Sequence, residues 1–98
     1  MEKDLYIIQS NDNGAFKVGV SKDPLKRLSQ LQTGSPFKLK IILILEKKSS
    51  LEKRLHEQLS FFRLGNFKGE WFSYDAFASL PDWIYEKLDL EEIDNWWR

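Results

Sequence analysis

The sequence predicts an α+β fold: a three-stranded antiparallel sheet flanked by helices, in the order β-β-α-β-α with a further C-terminal helix. Three observations carry this reading. Two short apolar segments flank the turn residues Asn11-Asp12-Asn13-Gly14, the run Ile41-Ile42-Leu43-Ile44-Leu45 has the length of a strand, and capping residues introduce apolar stripes at helical spacing. Ninety-eight residues, 42% of them apolar and 14% aromatic, close one core and leave nothing for a second, so a single domain over 1–98 is expected.

Leu5-Tyr6-Ile7-Ile8 forms the first strand and Ala15 to Val20 the second, because Asn, Asp and Gly between them tolerate the positive φ of a tight hairpin turn. Asp23 caps a helix that has Pro24 in its first turn, apolar Leu25, Leu28 and Leu31 at helical spacing, and a stop at Thr33-Gly34-Ser35-Pro36. The helix spans about Pro24 to Gln32. Lys38 to Glu46 reads as a buried strand that pairs with the hairpin.

Ser49 with Glu52 has the spacing of a capping box, and Leu51, Leu55, Leu59 and Phe62 make an apolar stripe, so a second helix runs from about Ser50 to Phe62. After the loop Gly65 to Gly69, Glu70-Trp71-Phe72 is a short extended piece. Phe77, Leu80, Ile84 and Leu88 then recur at near-helical spacing, with Pro81 breaking the run or starting a new helix. Asp89 and Glu92 repeat the capping pattern before the last helix. Trp83 is expected in the core, and Trp96 and Trp97 are expected exposed, where they could contact a protein partner.

The chain has no cysteine, which excludes disulfides, thiolate metal sites and a cysteine nucleophile, and suits a reducing cytoplasm. Its apolar runs are too short to cross a bilayer and its first residues do not have the pattern of a secretory leader, so a soluble, cytoplasmic protein with no membrane partner is expected. Net charge is zero but unevenly spread. Residues 1–74 hold thirteen Lys/Arg against eight Asp/Glu, and residues 75–98 hold two against seven. A basic body with an acidic tail fits a nucleic-acid partner or a chance balance of surface charge.

Phe16 to Leu28 reads as a strand, a glycine and a capped helix that presents Arg27, a cradle for a phosphate backbone. Here the residues resemble a family. Leu5-Tyr6-Ile7 is similar to the first motif of the GIY-YIG nuclease superfamily, Lys17-Val18-Gly19 to the second, Arg27 stands eight residues after Gly19, and Leu51 to His56 is similar to the glutamate helix. Gly69-Glu70-Trp71-Phe72 is similar to a signature of a compact phage and bacterial branch. The resemblance covers about 5–72 and leaves 73–98 as an acidic, Trp-rich extension. Asp4 stands in place of the first motif's glycine and Lys17 in place of the second motif's tyrosine.

The resemblance implies a metal-dependent endonuclease that hydrolyses DNA, leaving 5′-phosphate and 3′-hydroxyl ends. Tyr6 would be the general base, Arg27 the fork on the scissile phosphate, and Glu52 the ligand of one Mg²⁺ (or Mn²⁺), a cation that keeps its waters and needs few protein ligands. Lys17 would supply positive field, and His56, one turn after Glu52, would touch the phosphate or the ion's water shell. Gly19, Ser21, Lys22, Lys26 and Lys53 would meet the DNA backbone, with Lys38 and Arg54 flanking, and Glu70, a second carboxylate that could approach the site, is expected rather to fix the backbone beside Trp71-Phe72.

Each residue also has an ordinary role available to it. Glu52 can fold back on Ser49 as a cap, Arg27 and the lysines can be solvated, Lys17 can lie at a strand edge, Tyr6 can be a packing aromatic, and His56 can be structural. The strandedness of the DNA stays open. Two other functions compete: a GIY-YIG-like module that binds nucleic acid without cutting, and an interaction protein acting through the acidic tail.

Overall fold

In the computed structural model, which describes residues 2–64 and 71–97, the chain folds as an antiparallel sheet between helical layers. Strands β1 (Asp4–Ser10) and β2 (Phe16–Ser21) form the hairpin, followed by α1 (Pro24–Thr33), β3 (Leu39–Leu45), α2 (Glu52–Gln58), β4 (Trp71–Phe72), α3 (Asp82–Tyr85) and α4 (Leu90–Trp97). The sheet has four strands, not three, in the order β3-β1-β2-β4. The extra one is the piece expected only to be extended: Phe72 pairs with Phe16 and Trp71 with Lys17, and Arg63 bridges to Phe72 on its far side. Two residues carry no strand periodicity, and only these partners make them a strand.

The hairpin closes as its residues dictate. Gly14 takes φ 76°, Ser10 N–H donates to the Ala15 carbonyl at 2.9 Å, and Asn13 Oδ1 accepts from Ala15 N–H at 3.0 Å. Asp23 caps α1, accepting from Lys26 N–H at 3.2 Å. Leu28 and Leu31 pack inward from α1, but Leu25 is 67% exposed and the buried residue of the first turn is Pro24.

Because β1 and β2 are central, side chains of both faces are buried. Leu5, Ile7, Phe16 and Val18 face a larger core with Leu55 and Leu59 of α2, Phe72, Phe77, Leu80, Ile84, Leu88 and Ile93. Phe16 and Phe77 stack at 4.2 Å between centroids. Tyr6 and Ile8 face the other way, onto Leu28, Leu31, Ile41 and Trp71. Strand β3 lies at the sheet edge, so its apolar run is mostly half-buried and Ile44 is 39% exposed, where the sequence suggested a buried strand.

The second helix is shorter than expected and is flanked by 3-10 turns at Ser49–Leu51 and Ser60–Phe62. Tyr74–Ser79 is a further 3-10 segment, and Pro81 starts α3. In so short a helix Ile84 takes the core position and Trp83 is left 43% exposed, opposite to the expectation. Helix α4 is part of the fold and not a free tail: Ile93 is 4% exposed, Asp89 Oδ1 caps the helix through Glu92 N–H, Tyr74 Oη donates to Asp94, and Lys40 pairs with Glu92 at 2.7 Å. Trp96 is half-buried with Lys40 Nζ 5.9 Å from its ring centre. These contacts give no support to a protein partner on a Trp96 and Trp97 tail, and the Trp97 side chain lies outside the described residues. No helix among the described residues is long and apolar enough to cross a membrane.

Candidate active site

Antiparallel register sets Tyr6 of β1 opposite Gly19 of β2. The Tyr6 phenol lies over the glycine: a Cβ at position 19 would stand 2.6 Å from Tyr6 Cζ. The room left by the missing side chain therefore holds Tyr6, which is 2% exposed. Lys17, two residues earlier in β2, points to the same face, because side chains alternate along a strand. It is 7% exposed and paired with Ile8 on one side and Trp71 on the other, so it is a central-strand lysine and not the edge residue considered from sequence.

Helix α1 covers this face, with Arg27 half-buried in its first turns and 3.4 Å from Gln30 Oε1 through Nη1. Ser21 Oγ accepts from Asp23 N–H at 3.0 Å, ordering the strand-to-helix turn, and Lys22 and Lys26 are exposed beside it.

The second group comes from α2. Strand β4 covers β2 only at Phe16 and Lys17, and beyond it the Val18 carbonyl accepts a hydrogen bond from His56 Nε2 at 2.8 Å. A carbonyl can only accept, so His56 Nε2 carries a proton. The ring also packs on Phe72 at 5.7 Å, so the histidine fastens α2 to the open edge of β2. Glu52, one turn earlier, shares a surface groove with His56, Lys53 and Arg63.

Glu52 is not a capping residue here. Ser49 Oγ instead accepts from Lys3 N–H at 3.1 Å, while Ser49 N–H donates to the Lys3 carbonyl at 3.1 Å. Neither turn preceding Glu52 has a side-chain cap, and no hydrogen bond or ion pair engages its carboxylate among the described residues.

Helices α1 and α2 pack on opposite faces of the sheet, and their first turns lie at the same end of it. Asp4 pairs with Ser21, Asp4 Oδ1 accepts from Lys47 N–H at 3.0 Å, and Lys3 holds Ser49. The start of α1, the turn after β3 and the start of α2 thus gather at that end. Asp4, which departs from the resemblance, serves there by binding the backbone of Lys47, a residue at φ 55°.

Compared with known protein families, residues 4–98 match the T5orf172 domain. The chain belongs to that family. T5orf172 domains occur in phage and bacterial nuclease-like proteins, which is consistent with a nuclease-like or DNA-binding role and suggests interaction with DNA. No curated protein and no solved structure matches the chain.

In this T5orf172 domain the uneven charge of the sequence becomes a spatial one. Lys3, Lys22, Lys26, Arg27, Lys47 and Lys48 lie at the Ser21 end together with Asp4, Asp23 and Glu46, while acidic Asp89, Glu91 and Glu92 of the α4 region surround Lys40 near the hairpin end. Among the described residues no group of three or more His, Cys, Asp or Glu is close enough to hold a metal. The groove offers two carboxylates that no hydrogen bond or ion pair engages among the described residues, Glu52 and Glu57, with His56 beside them. That fits a hydrated magnesium ion, which binds through one or two carboxylates, and not zinc, which wants four ligands.

Sequence reading missed Arg63 and Gln30. Arg63 reaches the Glu52 groove, its guanidinium 5.9 Å from the centre of the Phe72 ring, only because it bridges to β4. Gln30 could have been found from its i+3 spacing to Arg27. Glu70 and the Gly69-Glu70 half of the terminal signature lie outside the described residues.

Proposed function

We propose that this T5orf172 domain is a magnesium-dependent endonuclease of the GIY-YIG type, hydrolysing a DNA phosphodiester. The observation that carries the reading is the Glu52 carboxylate, free of capping and ion pairing among the described residues, at the same end of the sheet as Arg27 and the basic cluster. An anion at this end would meet lysines from four segments of the chain. Glu52 would hold the cation, which when bound supplies positive charge to the phosphoryl oxygens and acidifies a water.

Arg27 would give two N–H donors to the phosphate, a fork that lysine cannot copy. Tyr6, as the phenolate, would take the proton of the attacking water as that water's oxygen bonds to phosphorus, and the 3′ oxygen released as its bond to phosphorus breaks would take a proton from solvent water. Lys17 on the same face adds positive potential. His56 acts as a positioning residue, through its bond to the Val18 carbonyl.

A second reading, binding without cleavage, is favoured by one observation: a buried lysine stands where the resemblance expects the second tyrosine. Cleavage of end-labelled DNA with Mg²⁺, by wild type, Arg27→Lys and Glu52→Gln, separates the two. The nuclease reading expects cutting that EDTA abolishes, a loss of at least about a hundredfold in each variant, and unchanged thermal stability for Glu52→Gln. Folded wild-type protein that binds DNA yet leaves every strand intact would sink it in favour of the second.

A further inference from the structure

Along α1, Arg27, Gln30, Leu31 and Gly34 form one stripe at i, i+3, i+4 and i+7. Arg27 is at the basic end of the stripe. Its other end opens into a cavity of about 540 Å³, lined by Leu31, Gly34, Phe37 and Trp71 with Gln30 and Asp12 at the rim. We infer that this cavity receives an unpaired nucleobase of the DNA strand whose phosphate lies on Arg27. The inference rests on the proposed DNA-cleaving role and adds a substrate class to it: single-stranded or locally unpaired DNA.

Four features support a base as the occupant. The cavity is flanked by aromatic surface, with Phe37 44% exposed and Trp71 half-buried, and aromatic side chains are the usual platform for unstacked bases. Trp71 is paired in register with Lys17 and packs on the Tyr6 face, so the cavity adjoins the face of the sheet that α1 covers. The rim has edge-reading groups, not phosphate-binding ones: the Asp12 carboxylate repels phosphate and accepts from exocyclic amino groups, and the Gln30 amide both donates and accepts.

The reach also fits. Arg27 and Gly34 are separated by about 10 Å along the helix axis, the rise of about three stacked nucleotides. Bases inside a duplex have both faces covered and cannot enter a cleft of this kind.

The rim is built independently of the Phe37 ring, which makes it testable. Gln32 Nε2 donates to the Phe37 carbonyl at 2.9 Å and Gln32 Oε1 accepts from Leu39 N–H at 2.8 Å, so Phe37→Ala leaves those bonds in place. Gly34 has φ −93°, open to any residue, and a Cβ there would meet only the Leu31 carbonyl oxygen, at 3.9 Å. Gly34→Phe therefore fills the cavity without backbone strain.

The experiment is fluorescence anisotropy with a single-stranded oligonucleotide, the same strand with abasic sites, and the corresponding duplex, using wild type, Phe37→Ala, Gly34→Phe and Arg27→Ala. Far-UV circular dichroism checks the fold of each. Wild type should bind the intact strand about tenfold more tightly than the abasic one, and both cavity variants should lose that preference while keeping their duplex affinity. Arg27→Ala should weaken binding to all three.

Cavity variants that still discriminate intact from abasic strand as wild type does would overturn the inference. If instead Arg27→Ala bound every oligonucleotide like wild type, the phosphate assignment beneath it would fail, and the two failures are read from different variants.

Discussion

Gly19→Ala tests the register that sets Tyr6 in the candidate site. A Cβ at position 19 would stand 2.6 Å from Tyr6 Cζ and 3.1 Å from Cε1, well inside carbon–carbon contact. The ring is 2% exposed and packed in one cluster with Ile8, Leu28 and Leu31, so it cannot swing away without opening that cluster. Overpacking of this kind costs about 1–3 kcal/mol. Replacing glycine returns about 0.4–1 kcal/mol by restricting the unfolded chain.

The net loss is about 1–2 kcal/mol, and each kcal/mol lowers Tm by roughly 4–8 °C in a domain of this size. Thermal unfolding followed by circular dichroism measures it. In a Tyr6→Leu background the clash partner is gone and only the chain-entropy term remains, so the same substitution should become neutral or stabilising. The cycle should give a coupling of about 1–3 kcal/mol. Equal effects in both backgrounds, or a stabilised single variant, would refute the packing of Tyr6 over Gly19.

Two other substitutions probe how the site is held. His56→Ala strips the Val18 carbonyl of its donor and the Phe72 ring of a neighbour, and should cost about 1–2 kcal/mol in denaturant unfolding; an unchanged midpoint would mean that α2 is fastened by its leucines alone. Ile93→Ala should cost about 2–4 kcal/mol, since the residue is 4% exposed in the main core. A loss under half a kcal/mol, roughly the scale of a surface change, would return α4 to the status of a detachable tail.

What could be read from the chain without its fold was what neighbours in sequence decide. The Asn13-Gly14 turn, the Asp23 cap with Pro24 after it, and the leucine stripe of α2 are local agreements between residue chemistry and backbone, and they appear where expected. Contacts between distant residues were not legible. Whether Glu52 was a cap or an available carboxylate was settled by Lys3, 46 residues from Ser49. Strand β4 exists because β2 offers it an edge, and the small chain at Gly19 acquires its meaning from Tyr6 on the neighbouring strand. Tryptophans misled for a related reason: a helix as short as α3 has one inward position, and Ile84 occupies it.

The excess of basic residues in 1–74 and of acidic residues in 75–98 gives this sequence of zero net charge an uneven charge distribution. In the field of a polyanion such a distribution would feel a torque and almost no net pull, so the proposed DNA-binding role would bring the Arg27 end to the strand first and keep the α4 end away. The rate of productive encounter should therefore fall as salt rises, although a bulk property such as electrophoretic mobility near pH 7 would report a neutral particle.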